Sequence, residues 1–342
     1  MYNYIIYIRD SPEAQKYSKS DIIDVYMGVK KRVSRKSEIF LTIVGVILLA
    51  GLICFGVSLA ILKSTDRRQE EVVEPIDQEN LENPEDLETK KEPEILAIDF
   101  QPVVDAWVNS IGGNKSVAIY DLDLKKMAGS YNAAESYNTA SLYKLFVVYE
   151  GYKRVATGEW DGNEKAGYTG KTILECLDLA IRESNSECAE TIRGLIGWNN
   201  LNSIISGEWG IVNSNIPKLI SNPNDIALMM QRFYEHPDFN NTVLIDRMWD
   251  SFLNQPVTEY DWRQGLPKGF SRALVYNKVG WDFNPDINQW NIYHDAAIVK
   301  FSLEDGTTRN FVVVVMTNKV DFRNIRKFGT DIENKFYEEI KI

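Results

Sequence analysis

The residues best placed to do chemistry are Ser141 and Lys144, in the run Thr139-Ala140-Ser141-Leu142-Tyr143-Lys144-Leu145-Phe146-Val147-Val148-Tyr149. On a helix, positions i and i+3 share a face with Cβ atoms roughly 5–6 Å apart, so the Lys144 amine can reach the Ser141 hydroxyl. The residues that follow are apolar almost all round, which predicts a buried helix central to its domain. Burial disfavours a charged amine and lowers its pKa. A lysine pushed toward neutrality can take a proton from a serine and so create a nucleophile. The competing reading is structural: serine is a favoured residue at a helix N-terminus, where its oxygen caps backbone N–H groups. A single Ser-x-x-Lys does not choose between the two.

Two later segments bear on the choice. Glu183-Ser184-Asn185-Ser186-Glu187-Cys188-Ala189-Glu190 lies between two predicted helices, and Tyr276-Asn277-Lys278-Val279-Gly280-Trp281 lies at the end of a predicted strand. Each also has a bland reading. Ser184 and Ser186 could cap the helix that follows, Lys278 could be an exposed strand-end lysine, and Trp281 could be core or pocket wall. In chain order, however, Ser-x-x-Lys, Ser-Asn-Ser and Lys-Val-Gly resemble the serine β-lactamase and penicillin-binding protein superfamily, and within it the class A β-lactamase-like branch. The pattern of that family is Ser-x-x-Lys, Ser-Asp-Asn and Lys-Thr-Gly.

The resemblance implies a role for each matching residue. Ser141 would attack a carbonyl carbon and carry the acyl group. Lys144 would be the general base, kept neutral by burial and by a second cation, Lys278. Ser184 would pass the proton toward the leaving nitrogen. The backbone N–H groups of Ser141 and Trp281 would form the oxyanion hole, Gly280 would let substrate lie against the strand edge, and Lys278 would attract a substrate carboxylate. Ser186 departs from the family asparagine and offers one hydroxyl where an amide both donates and accepts. Val279 departs from the family threonine, so a hydroxyl that would bond the substrate carboxylate is missing. The family's Glu-x-x-Leu-Asn loop, whose glutamate activates the deacylating water, has no counterpart. Between Gly197 and Asn224 the only carboxylate is Glu208, and Asp225 is expected to serve the N-terminus of the following helix.

Composition narrows the remaining classes. The chain has 342 residues, 44% hydrophobic and 25% charged, with a formal net charge of −11. Such an acidic balance argues against a nucleic-acid partner. The 2 histidines, His236 and His294, stand in no metal-ligand spacing, which argues against a metal site and against a histidine-based triad. Neither a metal nor a cofactor is expected. Of the 3 cysteines, Cys54 falls in an apolar run, while Cys176 and Cys188 are either bridged or two small buried thiols.

Four regions are expected to carry and position the site. Residues 1–38 form a tail ending in Lys30, Lys31, Arg32, Arg35 and Lys36. Residues 39–62 carry no charge, and as a helix would span about 36 Å, enough to cross a bilayer. The basic cluster before this span predicts a cytoplasmic N-terminus and an extracytoplasmic C-terminal part. Residues 63–94 are acidic and proline-containing, an extended spacer. Residues 95–342 read as one α+β domain. In it, helices are expected over 95–111, 141–154, 172–181, 187–196, 225–234 and 325–340, and strands over 116–120, 126–131, 273–279, 295–301 and 310–317. Strands from both ends would share one antiparallel sheet packed with helices, with an all-helical subdomain inserted between them. The function expected from the resemblance is a membrane-anchored serine hydrolase acylated by a β-lactam or a D-alanyl peptide-type amide. The alternatives are a D-alanyl-D-alanine peptidase-like cell-wall enzyme and a catalytically weak cell-wall-binding module that kept the fold.

Overall fold

Alternation along one strand shows how the domain is layered. In β7 (Thr308–Asn318), Phe311, Val313 and Val315 enter one hydrophobic cluster, while Val312, Val314 and Met316 enter another. A strand covered on both faces reads as a continuous apolar run. The computed structural model describes residues 95–258, 260–284 and 289–340. The expected tail (1–38), membrane span (39–62) and acidic linker (63–94) lie outside them. Among the described residues no helix is long and apolar enough to cross a membrane.

The sheet has the order β2-β1-β7-β6-β5, with β1 at Asn114–Asp121, β2 at Lys126–Tyr131, β5 at Leu274–Asn284 and β6 at Gln289–Ser302. All neighbours are antiparallel. The pairing of β1 with β7, from Asn114↔Asn318 to Asp121↔Phe311, joins the two ends of the domain as expected. On one face lie α1 (Gln101–Ser110) and α8 (Phe322–Glu339), through Val104, Trp107, Phe328, Ile332 and Phe336. The other face carries the inserted helices: α2 (Tyr143–Ala156), α3 (Ile173–Arg182), α4 (Ser186–Ile196), α5 (Trp198–Gly207), α6 (Pro223–Glu235) and α7 (Thr242–Leu253).

Several boundaries differ from expectation for identifiable reasons. The first helix starts at Gln101 rather than at 95 because Pro102 fits only its first turn, and Phe100 N–H instead bonds Ala128 O of β2 at 2.8 Å. Helix α5 is not foreshadowed by the sequence pattern. Its polar, asparagine-rich sequence has weak helix propensity, and packing of Leu201, Ile204 and Ile205 supplies what propensity lacks. Helix α7, capped by Asn241 and packed through Leu244, Met248 and Phe252, is a further addition. So is a two-residue ribbon in which β3 (Tyr137–Asn138) pairs with β4 (Ile220–Ser221), too short to leave a periodic signal.

Helix α8 is tied to the entrance of β5 by one side chain. The Glu333 carboxylate accepts the N–H groups of Ser271, Arg272 and Ala273 and the Ser271 hydroxyl, at 2.6–3.1 Å. Burial pushes this carboxyl up, but the hydrogen bonds from Ser271, Arg272 and Ala273 outweigh it and hold it below its ordinary value. A depressed carboxyl contributes stability above its unfolded pKa and loses it as pH falls through the folded value. Glu333→Ala is therefore expected to cost about 1.5–3 kcal/mol at neutral pH. Thermal melts should show the difference from wild type shrinking as the medium is acidified.

Candidate active site

The segment that presents Ser141 is built backward from a strained turn. The Thr139 N–H bonds Leu219 O at 2.8 Å, which extends the β3–β4 ribbon by one residue. Ala140 then adopts φ 44°, in the left-handed region that disfavours residues with a Cβ. Its N–H is held by Asn138 Oδ1 at 2.8 Å. A 3₁₀ turn over Ala140–Leu142 follows, and α2 begins at Tyr143. Ser141 thus sits just ahead of the helix rather than inside its first turn. It is not a cap either, because neither the turn nor α2 has a side-chain cap. Non-glycine residues in such conformations persist only where their surroundings over-determine them, and they concentrate at functional sites.

From Tyr143 to Tyr152 every residue of α2 is buried, Lys144 included. The Lys144 amine donates to Ser184 O at 2.5 Å, to Ser186 Oγ at 3.0 Å and to Ser184 Oγ at 3.3 Å. It is directed to these groups rather than to the Ser141 hydroxyl. Burial lowers its pKa to about 8, against a smaller opposing pull from Glu190. Glu190 itself accepts from Tyr143 Oη and pairs with Arg193, both at 2.5 Å.

Lys278 reaches the same point from the sheet. It is 1% exposed, so the reading as an exposed strand-end lysine fails. Its amine donates to Ser184 Oγ at 2.9 Å and to Val279 O at 2.8 Å. Burial first, and the Lys144 charge second, hold it well below the usual lysine value, with Asp295 opposing. The Ser184 hydroxyl therefore accepts from two buried amines and has its own proton left to donate. Ser184 is a second non-glycine residue with positive φ, 54°. The cap of α4 is Asn185, which accepts Cys188 N–H at 2.9 Å, so neither Ser184 nor Ser186 fills that role. Ser186 is exposed beside them.

Packing by itself requires a glycine at 280. A Cβ there would stand 2.7 Å from Thr139 O, 2.9 Å from Leu142 Cγ and 3.3 Å from His294 Cβ. The glycine lets β5 press against the turn that carries Ser141. Trp281 follows on β5, the edge strand of the sheet, and such a strand has backbone groups facing away from its neighbour. Its ring turns to the opposite sheet face from Lys278, against Trp262 at 5.5 Å, Tyr293 at 5.2 Å and Phe322 at 5.9 Å between centroids.

The two cysteines are bridged, Cys176 of α3 to Cys188 of α4. The bond closes the connection that carries Ser184 and Ser186. Closing a loop of this size stabilises by about 3 kcal/mol in the chain-entropy account. A Cys176→Ser, Cys188→Ser double variant should lose about that much in denaturant titration.

Two residues of the site leave no signal in the sequence. His294, a lone histidine by its spacing, is buried opposite Gly280 and bonds Asn138 O through Nε2 at 2.8 Å. Its Nδ1 accepts Thr317 N–H at 2.9 Å, and burial pushes it down to about 4, so the imidazole is neutral at pH 7. Asn138 is the other. Glu208 sits at the end of α5, paired with Lys153 at 2.8 Å. Asn222 is the cap of α6, and Asp225 is, as expected, the acidic residue in its first turn. It accepts from Asn213 N at 2.9 Å and Ser214 Oγ at 2.9 Å, and so ties the preceding loop to α6.

Comparison with known proteins bears on the fold that carries these residues. Among solved structures, an ancestral (GNCA) class A β-lactamase is similar with a TM-score of 0.59 at 15% identity, over 69% of this chain and 99% of that one. A β-lactamase from Chitinophaga pinensis gives 0.57 at 15% identity, over 70% and 98%. A mutant of PBP-A, solved as an acyl-enzyme complex with penicillin G, gives 0.57 at 20% identity, over 69% and 95%. At these identities the likeness is one of fold. No curated protein matched the chain. The model of the β-lactamase enzyme family matches residues 99–340, the span that holds the sheet, the inserted helices and all three motifs, and this chain belongs to that family.

Proposed function

We propose that this chain is a membrane-anchored, extracytoplasmic serine hydrolase that is acylated at Ser141 by a β-lactam or a D-alanyl peptide-type amide. The observation that carries the reading is the Ser184 hydroxyl held at 2.9 and 3.3 Å between the buried amines of Lys278 and Lys144, next to the turn that presents Ser141. The PBP-A structure, an acyl-enzyme with penicillin G, shows the kind of adduct meant. The anchor rests on the uncharged run 39–62 and the basic residues before it.

In the resting arrangement Lys144 has three acceptors around it, which suits an ammonium. With a pKa of about 8, about a tenth of it is neutral at pH 7. The neutral amine, turned from Ser186 toward Ser141, takes the Oγ proton as Oγ attacks the carbonyl carbon. The N–H groups of Ser141 and Trp281 receive the developing oxyanion, each worth about 2.7–4 kcal/mol. On collapse the carbonyl carbon–nitrogen bond breaks. Ser184 gives its proton to the departing nitrogen and takes one back from protonated Lys144. Among the described residues, the two carboxylates considered for activating water are engaged elsewhere: Glu208 pairs with Lys153, and Glu190 is held by Tyr143 and Arg193. The acyl-enzyme is therefore expected to be long-lived.

The test is incubation of the full-length chain with a fluorescent penicillin, followed by intact-mass measurement. Wild type should gain one adduct that persists after removal of free penicillin, and Ser141→Ala should gain none. Absence of labelling in wild type, under conditions where a control enzyme is labelled, would sink the reading. A second reading, a cell-wall-binding module on the same fold, is favoured by Val279, by Ser186 and by the lack of a Ser141–Lys144 hydrogen bond. It predicts equal biological activity for wild type and Ser141→Ala.

A further inference from the structure

We infer that His294 is a positioning residue for Ser141: it transmits the fixed geometry of the sheet to the turn that presents the hydroxyl. The inference rests on the reading of Ser141 as nucleophile and adds a residue that lies outside all three motifs.

The connection is continuous. Thr317 of β7 donates its N–H to His294 Nδ1 at 2.9 Å. A nitrogen that accepts there carries no proton, so Nε2 carries it. That Nε2–H donates to Asn138 O at 2.8 Å. Asn138 in turn accepts Ala140 N–H on its side-chain oxygen at 2.8 Å. Ala140 is the residue in the left-handed conformation, φ 44°, immediately before Ser141. The histidine thus links two central strands, through one asparagine, to the strained residue that aims the hydroxyl. Its location suits this role. His294 pairs with Gly280 in the sheet, and the missing Cβ of Gly280 lets the turn descend to within reach of the imidazole. The ring of Tyr137 stands edge-on to it at 5.8 Å and closes the remaining side.

The geometry asks for one donor and one acceptor in fixed positions, and a neutral imidazole with the proton on Nε2 supplies both. A side chain of the same shape without them would leave the buried Thr317 N–H unpaired and free the Asn138 carbonyl from its tie to the sheet. It would also remove the restraint that keeps Ala140 out of the ordinary backbone regions. Misplacing a reacting group by about 1 Å can cost about 100-fold in rate.

The test compares wild type, His294→Phe and His294→Gln in the full-length chain; the glutamine keeps an N–H donor for Asn138 O. Reaction with a fluorescent penicillin is resolved into the dissociation constant of the initial complex and the acylation rate constant. Amide hydrogen exchange is followed in parallel at Ala140 and Leu142 and, as a reference, at Ala296 and Val314 in the sheet. The expected result for His294→Phe is an acylation rate constant lower by about 100-fold, with a dissociation constant changed by less than about 3-fold. Exchange at Ala140 and Leu142 should be faster, with the sheet amides still protected. His294→Gln should recover about 10-fold or more of the lost rate. Unchanged rate and exchange in His294→Phe would overturn the inference. So would a uniform loss in which binding and sheet protection fall together with the rate, since that is the mark of a residue that only stabilises the fold. If wild type itself is not acylated, the proposed function fails. The inference then stands or falls on whether Ala140 exchange accelerates in the variant.

Discussion

Lys144→Met is expected to slow the proposed acylation of Ser141 by about 10²–10⁴-fold, the range a positioned general base contributes. Methionine fills the buried volume with a flexible apolar chain, so the loss should fall on rate rather than on folding. The wild-type rate should also rise with pH. Burial lowers the Lys144 pKa to about 8, so the base form gains population as pH rises through that value, and the acylation rate climbs and then levels above it. Lys278 is also held below the usual lysine value by burial and by the Lys144 charge, so the assignment rests on the variant: the methionine protein should lack the limb near pH 8. Stability follows the same sign. Between about 8 and the ordinary lysine value near 10.4 the unfolded chain binds the proton that native Lys144 has released, so stability rises with pH across that window. Stopped-flow labelling from pH 6 to 10 reads the rate. A flat wild-type profile, or a methionine variant that keeps the limb, would place the base elsewhere.

Gly280→Ala is expected to be nearly as damaging, by a mechanical route. The added methyl meets the backbone oxygen of Thr139 at 2.7 Å and the Leu142 side chain at 2.9 Å. Leu142 can shift, but the Thr139 carbonyl moves only with the turn that carries Ser141. Nor can β5 withdraw, because its neighbours on the strand are paired with β6 from Leu274↔Lys300 onward. Overpacking of this kind typically costs about 1–3 kcal/mol, and displacement of the nucleophile adds a loss of about 100-fold in acylation. Gly194→Ala is the control. It lies exposed in α4, a Cβ there meets nothing within 4 Å, and replacing a mid-helix glycine should stabilise by about 0.5–1 kcal/mol. Thermal melts of the two variants should move in opposite directions, and only Gly280→Ala should label more slowly. Full acylation by Gly280→Ala would show that the turn tolerates a shift the geometry forbids.

What could be read from the chain alone follows from interactions within one element. The apolar run after Lys144 announced a helix buried on all sides, and Tyr143–Tyr152 are all buried. The β-branched stretches at both ends announced strands, and they meet in one antiparallel sheet. Local chemistry also named the residue types at the site, because Ser-x-x-Lys, Ser-Asn-Ser and Lys-Val-Gly are contiguous motifs. It could not say whether Ser141, Ser184 and Ser186 were caps. That depends on where the backbone turns, and Asn185 and the left-handed Ala140 settled it.

The rest was decided by contacts between residues far apart in the chain. Short elements such as β3 and β4, which anchor the turn that carries Ser141, carry too few residues to show a period. That Gly280 must also clear the Thr139 carbonyl is visible only once β5 and the turn before Ser141 are packed together. His294 looked inert because its value lies in two bonds, to Asn138 and Thr317, that no sequence spacing encodes. Whether Cys176 and Cys188 pair, and which group each lysine bonds, likewise depend on how α3, α4 and β5 pack. Periodicity reports the face a residue occupies; only the packing of one element on another determines what that face meets.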